Sequence, residues 1–447
     1  MPNLIPRDAT RRDLALLTAV ALALLVATSA LTWSRADDAS SWDVPLYQSF
    51  GDRMTDGQVP YRDFRVEYPP GSLPAFVLPA LVARDGAPVY VPELNDSARS
   101  YARSFAVLMT ALLAATIVFT ALCLAALRTP PAHAALALGI VGATPLVLGE
   151  LALTRYDALP VALTAAAVAA TLHGRARLAG LALGLAVAAK LYPLILLPLV
   201  AAYLYRRRGR SDAATVVGVA AATVVVIVTP FLALAPGEAW FSIRAQLTRG
   251  LQVESLPGNV AIALGVAADK LGLGTLGTGV AEGGTGDVRS ADVTGTLGQL
   301  LGAVGGLAAA AIVVVVWIAA WRRRDDEGAF VRDCATVVAA QLALGRVLSP
   351  QFLLWLLPLV PLLGGRRGRI AGALLVVALV MTHAWFPDLY RDYVNERSAP
   401  ETAYLLVRNA LVLGVLVTLV APALRALRSP RSPTAANRMN AGATGTA

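Results

Sequence analysis

Cysteine, histidine and lysine are almost missing from this 447-residue chain: it has two cysteines, three histidines, and no lysine besides Lys190 and Lys270. Cys123 and Cys334 lie far apart with none of the short spacings of a metal site, so they imply neither a disulfide framework nor zinc and read as packing residues. No metal or other cofactor is expected. Charge is scarce as well, with 15% charged against 57% hydrophobic residues and a mean hydropathy of +0.63. A chain that apolar has no room for a large soluble domain and reads as an all-α polytopic membrane protein. Its net charge of +9 would suggest nucleic acid in a soluble protein. Here the arginines cluster in short segments between apolar runs, where positive charge fixes orientation, so no nucleic-acid partner is expected.

What is present is a series of apolar runs near the length needed to cross a core of about 30 Å: 14–33, 103–127, 132–152, 157–172, 213–235, 298–321, 330–347, 369–387 and 403–424. The stretch 177–205, interrupted by Lys190 and Pro193, is too long for one helix and reads as two, and 351–364 adds another. The expectation is about 12 transmembrane helices in a single domain, 1–428. The arginines at 7–12, 206–210, 322–324 and 366–369 then face the cytoplasm together with both termini, as in a plasma-membrane protein. The first run is long and lacks a small-residue cleavage site, so it reads as an anchor rather than a secretion signal. Two large outer loops, 34–102 and 236–297, carry aromatics beside charges, the pattern of helices lying in the interface; the second continues into a Gly-rich run. The run 73–83 is too short to cross. The tail 429–447, rich in Ala, Ser, Pro and Asn, is expected to be disordered on the cytoplasmic side.

Under this topology the ionisable residues that ordinary loops do not explain gather at the outer ends of helices. Holding charge at the edge of a hydrocarbon core is costly, so such a cluster marks a site. Asp43 and Tyr47 follow the first helix, and Asp43 is either a helix N-cap or a reacting carboxylate. Next come Tyr61, Asp63, Glu67 and Tyr68, the last two ahead of Pro69-Pro70-Gly71, whose paired prolines stiffen the strand that presents them. A salt bridge from Glu67 to Arg62 or Arg65 is the plain alternative. Arg155 and Asp157 flank Tyr156 in a turn, Asp157 at the cap position of the following helix.

Lys190 and Tyr192 belong to Lys-Leu-Tyr-Pro between apolar pieces of only about 14 or 15 residues, which reach ~22 Å and leave the hairpin tip below the outer surface. Lys190 is then within reach of lipid headgroups, unless it simply snorkels. Arg346 precedes Ser349-Pro350-Gln351 in a similar tip, and Gln351 and Trp355, four apart, would share a helix face. Two basic tips suit a lipid-linked phosphate, or else serve as interface anchors. His383, near the outer end of a crossing, either contacts substrate or packs.

The succession Gly-x-x-Pro-Tyr-x-Asp-Phe-x-x-Glu-Tyr-Pro-Pro, Arg-Tyr-Asp, Lys-Leu-Tyr-Pro and Ser-Pro-Gln-x-x-x-Trp, with Asp43 ahead of it and Trp355 at its end, resembles glycosyltransferase family 87. These are polyprenol-phosphate-mannose-dependent α-(1,2)-mannosyltransferases of the C superfamily. The resemblance implies a GT-C-like architecture and a hexosyltransferase with an extracytoplasmic active site. It also implies a polyprenyl-phosphate sugar donor, a glycolipid or glycan acceptor, transfer with inversion, and membrane lipid around the site. It gives Asp43 the role of base. Around it, the chemistry assigns Lys190 and Arg346 to the donor phosphate, and Tyr47, Tyr61, Asp63, Glu67, Tyr68, Arg155, Asp157, Tyr192, Gln351, Trp355 and His383 to sugar binding or support. The rival is a lipid-linked sugar transporter or flippase. Such proteins place binding residues near the midplane on broken helices and often show related halves, whereas these charges gather at one edge.

Overall fold

The computed structural model describes residues 8–35, 43–83, 96–283, 290–323, 326–386, 389–390, 393–394 and 398–428; the expected disordered tail and parts of the first outer loop lie outside the described residues. The first helices are α1 (Arg11–Arg35), α2 (Val44–Thr55), α3 (Leu73–Val82), α4 (Asp96–Ala126) and α5 (Pro131–Gly142). Two very short helices follow, α6 (Thr144–Leu148) and α7 (Leu151–Thr154), then α8 (Ala158–Leu172), α9 (Ala176–Ala189) and α10 (Leu197–Arg208). Then come α11 (Arg210–Leu234), α12 (Pro236–Leu247), α13 (Leu256–Lys270) and the strands β1 (Gly279–Gly283) and β2 (Ser290–Thr294). The chain ends with α14 (Thr296–Arg322), α15 (Glu327–Leu344), α16 (Gly365–Trp385) and α17 (Ala399–Arg428).

Among the described residues six helices, α1, α4, α11, α14, α16 and α17, are long and apolar enough to cross a membrane, and the chain is an all-α multi-pass membrane protein. The other expected crossings are shorter or broken. The run 132–152 is not one helix but three, interrupted at Ala143 and again at Gly149, whose φ of 66° is left-handed and ends α6. The run 351–364 is two 3-10 segments, Pro350–Leu356 and Val360–Leu362, each with a proline among its first two residues. Helix α8 is apolar all round and accordingly buried on nearly every side, with α9 packed along it. α1 and α11 line the periphery with exposed valines and leucines such as Val20, Val26, Val225 and Val226.

Chain direction places the site. α8 and α9 form an antiparallel hairpin through His173 and Arg175, so Asp157, just before α8, and Lys190, just after α9, share one end of the bundle. α10 returns to the opposite end, where Arg206, Arg207 and Arg208 close its last turn. The two loops expected to carry interfacial helices contain short helices: α2 and α3 in the first, α3 with Leu78, Leu81 and Val82 exposed, and α12 in the second, with Trp240 exposed. The Gly-rich run was not legible as structure. It forms the antiparallel β1–β2 ribbon, to which residues 251–253 add an edge: Val293 N donates to Leu251 O at 2.7 Å and Val253 N to Ala291 O at 3.1 Å. Below this sheet Leu251, Val253, Ile262, Val293, Trp385 and Leu405 form a small second core.

Candidate active site

Helix α2 buries Val44, Tyr47, Gln48, Phe50 and Gly51, a stripe with helical spacing that lays it against the bundle. Asp43 occupies its N-cap position, yet its side chain makes no capping hydrogen bond. It forms an ion pair with Arg155 instead, and Tyr47 OH donates to its Oδ2 at 3.3 Å. Tyr47 is fixed in turn by rings: Phe76 stacks at 4.6 Å, Phe105 at 5.4 Å, and Tyr68 and Tyr156 meet it edge-on at 5.7 and 5.9 Å. Such pairs orient side chains as well as burying area.

Asp157 is the second fixed point. It is wholly buried, makes no cap bond to α8, and its Oδ1 accepts from Lys190 Nζ and from Trp355 Nε1, both at 2.7 Å. The Lys190 ammonium also lies 4.7 Å from the Tyr156 ring centre, 4.6 Å from Phe352 and 5.3 Å from Trp355, a cation–π surround that offsets part of its desolvation. Trp355 stacks on Tyr192 at 4.1 Å and on Phe352 at 4.0 Å. The 3-10 geometry explains this last contact, because residues three apart eclipse in such a helix. It also corrects the expected shared face of Gln351 and Trp355: Gln351 lines the cleft while Trp355 reaches behind it to Asp157.

The Pro-Pro-Gly and Lys-Leu-Tyr-Pro motifs are one unit in space. A Cβ on Gly71 would stand 2.6 Å from Ala189 N, so only glycine lets the stiff strand touch the Ala188–Ala189 peptide that leads into Lys190.

These residues surround a cleft with about 950 Å³ of empty volume, counting the space at its mouth. Of the residues expected at the site, Asp43, Tyr47, Glu67, Tyr68, Arg155, Lys190 and Gln351 line it, and Asp157, Tyr192 and Trp355 stand directly behind. Tyr61 is buried and supports the strand, its OH donating to Tyr68 O at 2.7 Å. Three residues lie elsewhere. Asp63 is exposed and bonded to Arg62 at 2.8 Å, which with the Val59 N–H holds its carboxyl down at about 2. His383 packs against Gly149. Arg346 is exposed and off the cleft wall, although its carbonyl accepts from Gln252 N at 2.9 Å.

Residues 245–254 supply a wall that the sequence did not announce: Gln246, Arg249, Gln252 and Glu254 line the cleft, with Tyr390 beside them. Gln246 Nε2 donates to Glu67 O at 2.9 Å, and Arg65 grips Glu238 at 2.8 and 3.0 Å with Phe241 beneath it at 4.5 Å, so α12 is clamped to the first loop. Arg249 is half-buried and makes no hydrogen bond or ion pair among the described residues, unlike Lys190 and Arg155. Burial pushes the Glu254 carboxyl up to about 7, against the pull of Arg408, the Trp385 N–H and Arg155. One signal for this wall was available: Arg408-Asn409 inside an apolar helix demands a buried partner, and both donate to Glu254 O. Among the described residues no three His, Cys, Asp or Glu side chains are grouped to hold a metal ion.

A multi-pass helical protein with carboxylates, cations and aromatic rings around one cleft has the means to bind a charged, hydroxyl-rich substrate at the membrane. Comparison with protein families makes the class specific: the profile of glycosyltransferase family 87 matches residues 67–350, and the chain belongs to that family. It is a membrane glycosyltransferase. No curated protein gives a significant match.

Proposed function

We propose that this enzyme moves mannose from a polyprenyl-phosphate donor to a hydroxyl of a glycolipid or glycan acceptor, at the extracytoplasmic face and with inversion. The observation that carries the reading is that Asp43, Arg155 and Lys190 line one cleft, with the Lys190–Asp157–Trp355 hub directly behind. A mannosyl phosphate already has a competent leaving group. The protein must take a proton from the acceptor, align it behind the anomeric carbon and stabilise the departing phosphate.

Arg155 and Tyr47 both hold Asp43 through Oδ2. Oδ1 has no partner among the described residues and takes the proton as the acceptor oxygen bonds to the anomeric carbon; the carbon–oxygen bond to phosphate breaks and leaves its electron pair on the phosphate. Lys190 and Arg249 flank that phosphate. Arg249 takes the part first given to Arg346 because it lines the cleft and its guanidinium offers a planar fork to phosphate oxygens. Glu67, Tyr68 and Gln351 orient sugar hydroxyls. The shorter and broken helices complete about 12 crossings of a GT-C-like architecture, some reaching only part of the way through the core.

The test is transfer of label from radiolabelled polyprenyl-phosphate mannose to an acceptor extract by membranes containing the wild type or Asp43→Asn. The expected result is transfer that the substitution abolishes at unchanged protein abundance. Transfer that persists undiminished removes Asp43 as the base. Cysteine labelling of Glu67→Cys and Arg208→Cys in intact cells reads the orientation: reagent restricted to the outside should reach position 67 only.

A further inference from the structure

The mechanism leaves one cleft carboxylate without a task. Glu254 is 5% exposed and lines the cleft. Its main chain is held on every side: Val253 N bonds to β2, Ser255 Oγ caps α13 through Gly258 N at 3.1 Å, and its carbonyl accepts from Arg408 Nη2 at 3.1 Å and Asn409 Nδ2 at 3.2 Å. In the side chain, Oε1 accepts from Trp385 Nε1 at 2.9 Å. Oε2 has no partner among the described residues, and it is not sealed from the cleft.

The charge beside it is only loosely matched. Arg408 is fully buried, its Nη2 stands 4.0 Å from Oε1, and its Nε and Nη1 have no hydrogen-bond partner among the described residues. A buried carboxylate compensated at that distance gains from a further donor. Arg155 couples two of the cleft carboxylates electrostatically: it pairs with Asp43, and its charge also acts on Glu254. Arg155 Nε too is buried without a hydrogen-bond partner among the described residues. An ionised carboxylate oxygen accepts hydrogen bonds and repels phosphate. Its complement is therefore a neutral O–H.

We propose that Glu254 is the hydroxyl-recognition residue for the acceptor, its Oε2 accepting from a ring hydroxyl of the sugar whose neighbouring hydroxyl is presented to Asp43. The donor phosphate lies toward the cations Lys190 and Arg249 rather than the Glu254 carboxylate. The inference rests on the transferase reading and assigns the substrate class that this wall selects, a glycan or glycoside with hydroxyls adjacent on one ring. The carboxylate is faced by Arg408 from α17, Trp385 from α16, Arg155 from the turn before α8, and Tyr390. In that surround it changes charge near neutral pH, so recognition should weaken as the solution is acidified.

The probe is octyl α-mannopyranoside, with binding measured by titration calorimetry on the purified full-length protein in a maltoside-free detergent. Glu254→Gln keeps an oxygen for Trp385 while removing the charge, and is expected to weaken binding about 10-fold, ~1.4 kcal/mol. Asp43→Asn should lose transfer yet keep the wild-type pH dependence of binding, which separates this inference from the choice of base. A wild-type arm does not depend on any variant folding: among the monodeoxy octyl mannosides, one should bind about 10-fold more weakly to the wild type and suffer no such loss in Glu254→Gln. Wild-type affinity should also fall between about pH 8 and pH 6, with no such fall in the variant. Binding by Glu254→Gln within about twofold of the wild type, or an equal loss for every deoxy probe, overturns the proposal. So does a rise in donor KM rather than acceptor KM when polyprenyl-phosphate mannose is the substrate.

Discussion

The two ends of the helix bundle hold charge in different ways. At the arginine-rich end two pairs are partly open: Arg208–Asp212 spans one helical turn with side chains 52% and 29% exposed, and Arg207–Glu327 is 43% and 28% exposed; the buried pair there, Arg323–Asp333, joins neighbouring segments of the chain. At the cleft end Arg155 pairs with Asp43 and Lys190 with Asp157, joining different elements, and Asp157 is not exposed at all. Exposed pairs contribute about 0–1 kcal/mol, whereas removing one member of a buried pair costs about 3–5 kcal/mol because the other charge is stranded. The open pairs are consistent with orientation and solubility. Buried pairs brought together from distant segments are expensive to keep, which is what a reaction centre requires and a topology signal does not.

The largest effect that would break this contrast concerns activity. Asp43→Asn should lower transfer by about 10²- to 10⁴-fold, while Asp212→Asn at the other end should leave it unchanged; comparable losses in the two would erase the difference. Next in size is stability. Asp157→Asn strands the Lys190 ammonium and should cost about 3–5 kcal/mol, seen as a lower Tm in detergent, against less than about 1 kcal/mol for Asp212→Ala. Gly71→Ala should reduce transfer by about ten- to a hundredfold by pushing the Ala188–Ala189 peptide and the lysine behind it. Full activity there would show that the tip tolerates displacement.

The smallest expected effect is a pH slope. The raised Glu254 carboxyl means that the folded protein holds a proton more tightly than the unfolded chain. Its contribution to stability is complete below the ordinary value of 4.5 and is lost as pH rises through about 7. Asp63 runs the other way: its contribution is present above 3.8 and is lost as pH falls toward about 2. A Tm profile whose slope between those upper limits survives Glu254→Gln would assign it to another group.

How much could be read in advance follows the same contrast. Asp43, Arg155, Asp157 and Lys190 were legible because each interrupts or borders an apolar run, where an unpaired charge is costly. Arg249 and Glu254 were not, because they lie in a polar stretch where charges are ordinary; Arg408 within α17 pointed to Glu254, and nothing pointed to Arg249. Arg346 resembled Lys190 in its Pro-flanked setting, but its side chain is exposed off the cleft wall while its carbonyl anchors Gln252. Long helices were found close to their expected places, since length and hydropathy suffice. The run 351–364 was read as one further crossing helix because hydropathy does not distinguish 3-10 from α, and the β1–β2 ribbon has too many glycines to show a pattern.

The most direct test of the central claim is a cryo-EM structure with a non-transferable polyprenyl-phosphate mannose analogue bound. The phosphate should lie within hydrogen-bond reach of Lys190 Nζ and the Arg249 guanidinium, with the anomeric carbon turned toward Asp43. A phosphate bound at the other end of the bundle, or one held in the cleft with Asp43 on the same side of the sugar as the leaving group, would contradict it.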